Sequence, residues 1–103
     1  MQQLMRQAQK MQQDVARVQE EVGNTEFEAS VGGGAVKVVI NGAKQFKSVS
    51  ISPEAVDPDD VEMLEDLILS AVNEAIRIAE ETMEKEMSKV TGGMGGALGG
   101  FGF

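Results

Sequence analysis

The chain has 103 residues, 42% hydrophobic but only 4% aromatic, which sets a single domain with a small aliphatic core. It contains no Cys, His, Trp or Tyr, so disulfides, zinc held by thiolate or imidazole, and the commonest general base are excluded. The net charge of −8 opposes uniform attraction to nucleic acid, yet it is unevenly spread: −2 over residues 1–28, +3 over 29–53 and −9 over 54–90.

Leu4, Ala8, Met11, Val15, Val18 and Val22 fall at spacings of 4, 3, 4, 3 and 4, the heptad stripe of a helix that needs a partner. A helix over residues 2–22 is about 30 Å long. Only the second long helix or a second copy of the chain can cover such a stripe, and helices this long project from a body of this size. Arg6, Lys10 and Arg17 are separated by 4 and 7 residues, so they share roughly one face, flanked by Gln3, Gln7, Gln9, Gln13 and Gln19. The first thirteen residues carry no acid. That face reads either as a phosphate-binding surface or as an ordinary solvated one. Gly23-Asn24 supplies a helix stop.

Thr25 to Val31 alternates, with Phe27, Ala29 and Val31 on one side, as a half-buried strand does. Gly32-Gly33-Gly34 makes a turn, and Ala35 to Ile40 is the next strand. Asn41-Gly42 predicts a two-residue type I′ hairpin, with Ala43 to Ile51 returning as the third strand. That register sets Ile40 opposite Ala43, Val38 opposite Gln45 and Val36 opposite Lys47, with Lys37 facing Phe46 and Val39 facing Lys44. Lys47 then lies on the aliphatic side, where a bulge would move it.

Asp57-Pro58-Asp59-Asp60 predicts a helix start with Asp57 as N-cap and Pro58 at the first helical position. The helix extends to Val90, its apolar stripe running through Val61, Leu64, Ile68, Ala71, Ala75 and Ile78, with Glu81 and Lys85 as an i,i+4 pair. Residues 91–103 hold seven of the twelve glycines and read as a flexible tail after a domain of residues 1–90.

Candidate chemistry is sparse. The paired carboxylates Glu65-Asp66 and Glu80-Glu81 read as a solvated helix face. The triple glycine joins two strands without the helix, Lys and Ser/Thr of a phosphate loop. Met83 and Met87 fit core or partner packing. No aromatic platform for stacking single strands and no base-reading motif is present. No apolar run approaches about 18 residues and no signal-peptide pattern opens the chain. The expectation is a cytoplasmic non-enzyme with no metal, cofactor, small-molecule substrate or membrane partner.

Gln7-Ala8-Gln9-Lys10-Met11-Gln12, Gly34-Ala35-Val36-Lys37-Val38 with Asn41-Gly42, Ile51-Ser52-Pro53-Glu54, and the run from Glu62 to Ala75 occur in this order. Together they resemble the YbaB/EbfC family of bacterial nucleoid-associated proteins. The resemblance implies an α+β fold, α-β-β-β-α with a three-stranded antiparallel sheet and two long projecting helices, forming a tweezer-like homodimer. It also implies binding and conformational alteration of double-stranded DNA, with roles in nucleoid organisation, DNA protection and gene regulation. Gln7 and Lys10 match the segment to which that family's DNA binding is attributed, and Arg6 lies beside them; charge adds Arg17, Lys85 and Lys89. Leu4, Ala8, Met11, Val15 and Val18, with Ile68, Ala71 and Ala75, are the candidate dimer interface. The alternative is a dimeric scaffold that binds a protein partner.

Overall fold

The computed structural model describes the backbone of residues 2–102 and the side chains of residues 2–91. Helix α1 spans Gln2–Asn24, followed by strands β1 (Glu26–Val31), β2 (Val36–Asn41) and β3 (Phe46–Ile51), a 3-10 turn at Pro53–Ala55, and helix α2 (Val61–Gly102). The sheet is antiparallel in the order β1-β2-β3. This is the expected α-β-β-β-α arrangement.

The period-2 pattern places one residue row on each face. Phe27, Ala29 and Val31 pair with Ile40, Val38 and Val36, and these in turn with Phe46, Val49 and Ile51. Three small residues of α2, Ala71, Ala75 and Ala79, seat that helix on Ala29, Val36, Val38 and Ile40, and all seven are buried. Alanines at four-residue spacing let the helix axis lie close, because interaxial distance follows the side chains at the contact. The opposite face of the sheet is mostly polar and exposed, apart from half-buried Val39 and buried Asn41, and on it Lys37 bridges to Glu28 across the strands at 3.2 Å.

The β2–β3 connection corrects the sequence reading. Gly42 does not take positive φ; Lys44 does, at 66°. The Asn41 N–H donates to the Gln45 carbonyl (3.0 Å) and the Lys44 N–H to the Asn41 carbonyl (2.9 Å), enclosing a three-residue loop rather than two. The buried Asn41 amide clamps it: Oδ1 accepts the Gln45 N–H at 2.9 Å and Nδ2 donates to Gln45 Oε1 at 3.0 Å. Glycine is needed at 42 for space, since a Cβ there would lie 2.0 Å from the Val22 carbonyl oxygen. The longer loop shifts the register, so Phe46 faces Ile40 on the core side and Lys37 faces Ser50. The pairing then slips between Val39–Ser48 and Ile40–Phe46, leaving Lys47 as the extra residue of a bulge, where one was expected.

Helix boundaries also move. Gly23 and Asn24 stay in α1, and Thr25 closes the helix through its N–H to the Val22 carbonyl (3.0 Å) and its Oγ1 to the Glu21 carbonyl (2.8 Å). Asp57 is not the N-cap of α2. It builds a turn by accepting the Asp59 N–H (2.9 Å), and Asp60 takes the cap, accepting the Met63 N–H at 3.2 Å. The expected Glu81–Lys85 pair is replaced by Arg77, which reaches Glu81 at 2.6 Å and Glu74 at 3.0 Å through its forked guanidinium. The tail expected over residues 91–103 falls largely outside the described side chains; the backbone of α2 continues as helix to Gly102.

Both helices project. The molecule measures 68 × 27 × 16 Å with a radius of gyration of 18.9 Å, against about 13 Å for a compact chain of 100 residues. Val22 of α1 and Ala79 and Met83 of α2 all border Gly42, so the two helices leave the sheet at the same end.

Candidate nucleic-acid interface

Helix α1 packs mainly against α2, and its burial is deepest at the root. Val18 and Val22 are buried, whereas Leu4 and Met5 near the tip are 66% and 63% exposed. Burial along the heptad stripe therefore falls from root to tip, through half-buried Val15 and Met11 to exposed Ala8 and Leu4. Leu4, Ala8, Met11 and Val15 line an apolar groove of about 740 Å³, with Gln7 on its margin.

The cations divide as sharply. Arg17 is flanked by Asp14 (3.4 Å) and Glu21 (3.8 Å), Lys44 by Glu80 (3.1 Å), Lys89 by Glu86 (3.1 Å), and Arg77 by two glutamates. Among the described residues, Arg6, Lys10, Lys47 and Lys85 make no ion pair within 4.0 Å. Arg6, Gln7 and Lys10 are all exposed on the first three turns of α1, where no carboxylate is present. Hydrogen bonding from the Arg77 guanidinium holds the Glu74 carboxyl below its ordinary pKa, and the same contact raises the Arg77 pKa. The acidic flank of α2 thus uses its own arginine.

The six residues predicted for DNA binding sit on the two projecting helices, but in different states. Arg6, Gln7, Lys10 and Lys85 are available, while Arg17 and Lys89 are shared with carboxylates in exposed pairs worth about 0–1 kcal/mol each. Of the candidate interface residues, Leu4 and Ala8 are exposed, while Met11 and Val15 are half-buried. Val18 is buried within the chain and Ile68 is half-buried. Ala71 and Ala75 are at 0% exposure against the sheet, leaving no surface for a second copy.

The exposure of one apolar row, and the place of Phe46 in it, were not legible in the sequence. Phe46, Val49 and Ile51 lie on the core side of β3 yet are 41%, 55% and 38% exposed, because α2 lies over β1 and β2. Strict alternation would set Phe46 on the face opposite Val49 and Ile51; the bulge at Lys47 brings it onto theirs. Among the described residues, no group of acidic, His or Cys side chains could hold a metal ion, and no helix is long and apolar enough to cross a membrane.

Residues 1–94 match the YbaB/EbfC DNA-binding family. A nucleoid-associated protein of Ruminiclostridium cellulolyticum is 59% identical over 95% of this chain and 85% of its own. Another, from Acetivibrio thermocellus, is 61% identical over 95% of this chain and 87% of its own. The crystal structure of an uncharacterized protein from Helicobacter pylori shares the fold, with a TM-score of 0.75 and 23% identity over 89% of this chain and 97% of that one.

Proposed function

The chain belongs to the YbaB/EbfC DNA-binding family, and we propose that it is a nucleoid-associated protein that binds double-stranded DNA as a homodimer and alters its conformation. On this reading it works in the cytoplasm at the nucleoid, organising and protecting DNA and influencing gene expression. One observation carries the reading beyond family membership: Arg6 and Lys10 are exposed and form no ion pair among the described residues, at the end of a projecting helix in a stretch of thirteen residues that holds no acid. Phosphates would meet these two cations first, whereas the acid of α2 repels DNA from the body and confines it to the arms.

Dimerisation has its own physical motive. A helix with its side chains is about 10–12 Å across, and the outer strands of a three-stranded sheet are about 10 Å apart. Placed over β1 and β2, α2 leaves the apolar row of β3 open. A second copy packed over Phe46, Val49 and Ile51 would close that row and supply a second arm. Two arms carrying Arg6 and Lys10 give four phosphate contacts and a slope of about −3.6 in log affinity against log salt.

Fluorescence anisotropy with a labelled duplex across a salt series tests the binding, and sedimentation of Val49→Asp/Ile51→Asp tests the dimer. The expected results are a steep salt slope for the native chain and dissociation to monomers for the variant. Salt-independent or absent duplex binding would overturn the DNA reading in favour of a protein-binding scaffold.

A further inference from the structure

The exposed side of α1 carries an array that phosphate binding alone does not use. Arg6 lies three residues before Gln9 and four before Lys10, and Gln13 lies four after Gln9 and three after Lys10, the spacings that set side chains on one helix face. This face lies opposite the apolar groove of Leu4, Ala8, Met11 and Val15. Gln7, Gln12 and Gln19 border that groove; Gln9 and Gln13 do not.

The two outward glutamines are uncommitted. Among the described residues, no glutamine of α1 has its amide in a hydrogen bond, in contrast to Gln45, whose amide is fixed by Asn41. The exposed flank of α2 shows what an ordinary solvated face looks like in this chain, with glutamates paired to Arg77 and Lys89. On α1 the corresponding outer positions are neutral amides between unpaired cations.

The dimensions fit a duplex. From residue 6 to residue 13 the helix rises about 10 Å, close to the rise of three base pairs at about 3.4 Å each. A major groove about 12 Å wide admits an α-helix, and a glutamine amide matches the N6 donor and N7 acceptor of adenine. Because the tip of α1 stands clear of the body, the sheet does not block its entry.

We propose that Gln9 and Gln13 read adenine edges in the major groove while Arg6 and Lys10 hold the flanking phosphates. This rests on the DNA-binding reading above and adds to it a sequence preference of about three base pairs per arm. The two arms of a dimer would see the same short element twice, in inverted orientation.

Selection from a pool of duplexes with a randomised 20-base-pair centre tests it, using the full-length chain and Gln9→Ala/Gln13→Ala. Alanine is a better helix former than glutamine, so circular dichroism should show the helix retained. The native chain is expected to enrich an adenine-containing element and to bind it about tenfold or more above a scrambled duplex. The variant should bind both duplexes equally, at the native scrambled affinity and with the native salt slope. Three results would overturn the proposal: duplex binding with no element enriched, a preference that survives in the variant, or no duplex binding at low salt. The first two leave the DNA-binding reading standing, and the third removes both.

Discussion

The two long helices follow the same 3-and-4 spacing of apolar residues and do opposite jobs with it. On α2 the stripe is spent inside the chain, where Ala71, Ala75 and Ala79 sit against the sheet, and Arg77 and Lys89 pair with Glu74, Glu81 and Glu86 on the outer side. On α1 only Val18 and Val22 are buried, and the turns nearer the tip carry an apolar groove together with Arg6 and Lys10, which form no ion pair among the described residues. Helix α2 is therefore a scaffold and α1 an arm. What separates them is how far each lies along the sheet, not the pattern itself.

The comparison can be broken most severely at the scaffold. Ile40→Ala should lower stability by about 3–4 kcal/mol, since Ile40 is fully buried between the strands and α2; urea unfolding at several protein concentrations separates this from dimer dissociation. Leu4→Ala, at the exposed tip of α1, should change the stability of the isolated protomer by less than about 0.5 kcal/mol. Gly42→Ala comes next. Its Cβ would be 2.0 Å from the Val22 carbonyl oxygen, and forcing the root of α1 away should cost about 2–3 kcal/mol. Amide exchange should then accelerate around Val18 and Val22 more than in the strands.

A smaller effect is expected at the loop. Asn41→Ala removes both side-chain bonds to Gln45 and should cost about 1–2 kcal/mol, read as a lower urea midpoint. The smallest concerns Glu74, held below its ordinary pKa of 4.5 by Arg77. A carboxyl with a depressed folded-state pKa contributes stability above its unfolded pKa and loses it as pH falls through the folded value. Glu74→Gln should therefore lower the melting temperature slightly at neutral pH, and the difference from the native chain should fade below about pH 4.5.

The element order, the core face of the sheet and the projecting helices were legible because periodicity reports them directly. What was not legible has definite physical causes. A 3-and-4 stripe looks the same whether it meets a sheet or another helix, so Ala71 and Ala75 read as interface and are core. Asn-Gly reads as a tight hairpin because glycine favours positive φ, but Gly42 serves a close approach to Val22, a contact between residues twenty apart in sequence. With that loop misread, Phe46 was set opposite Lys37 on the polar face rather than beside Val49 and Ile51 on the core side. For the candidate site, composition located the acid-free start of α1, whereas the pairing that sets Arg6 and Lys10 apart from Arg17 and Lys89 needed distances.

The central claim is that α1 is the arm that meets DNA, and two charge-reversal variants measured side by side test it most directly. Duplex affinity should be determined across a salt series for Arg6→Glu/Lys10→Glu and for Lys85→Glu/Lys89→Glu, each with its assembly mass checked. If α1 is the arm, its variant should lose most of its affinity and of its salt slope, while the α2 variant loses clearly less. Equal losses, or a larger loss from α2, would contradict it.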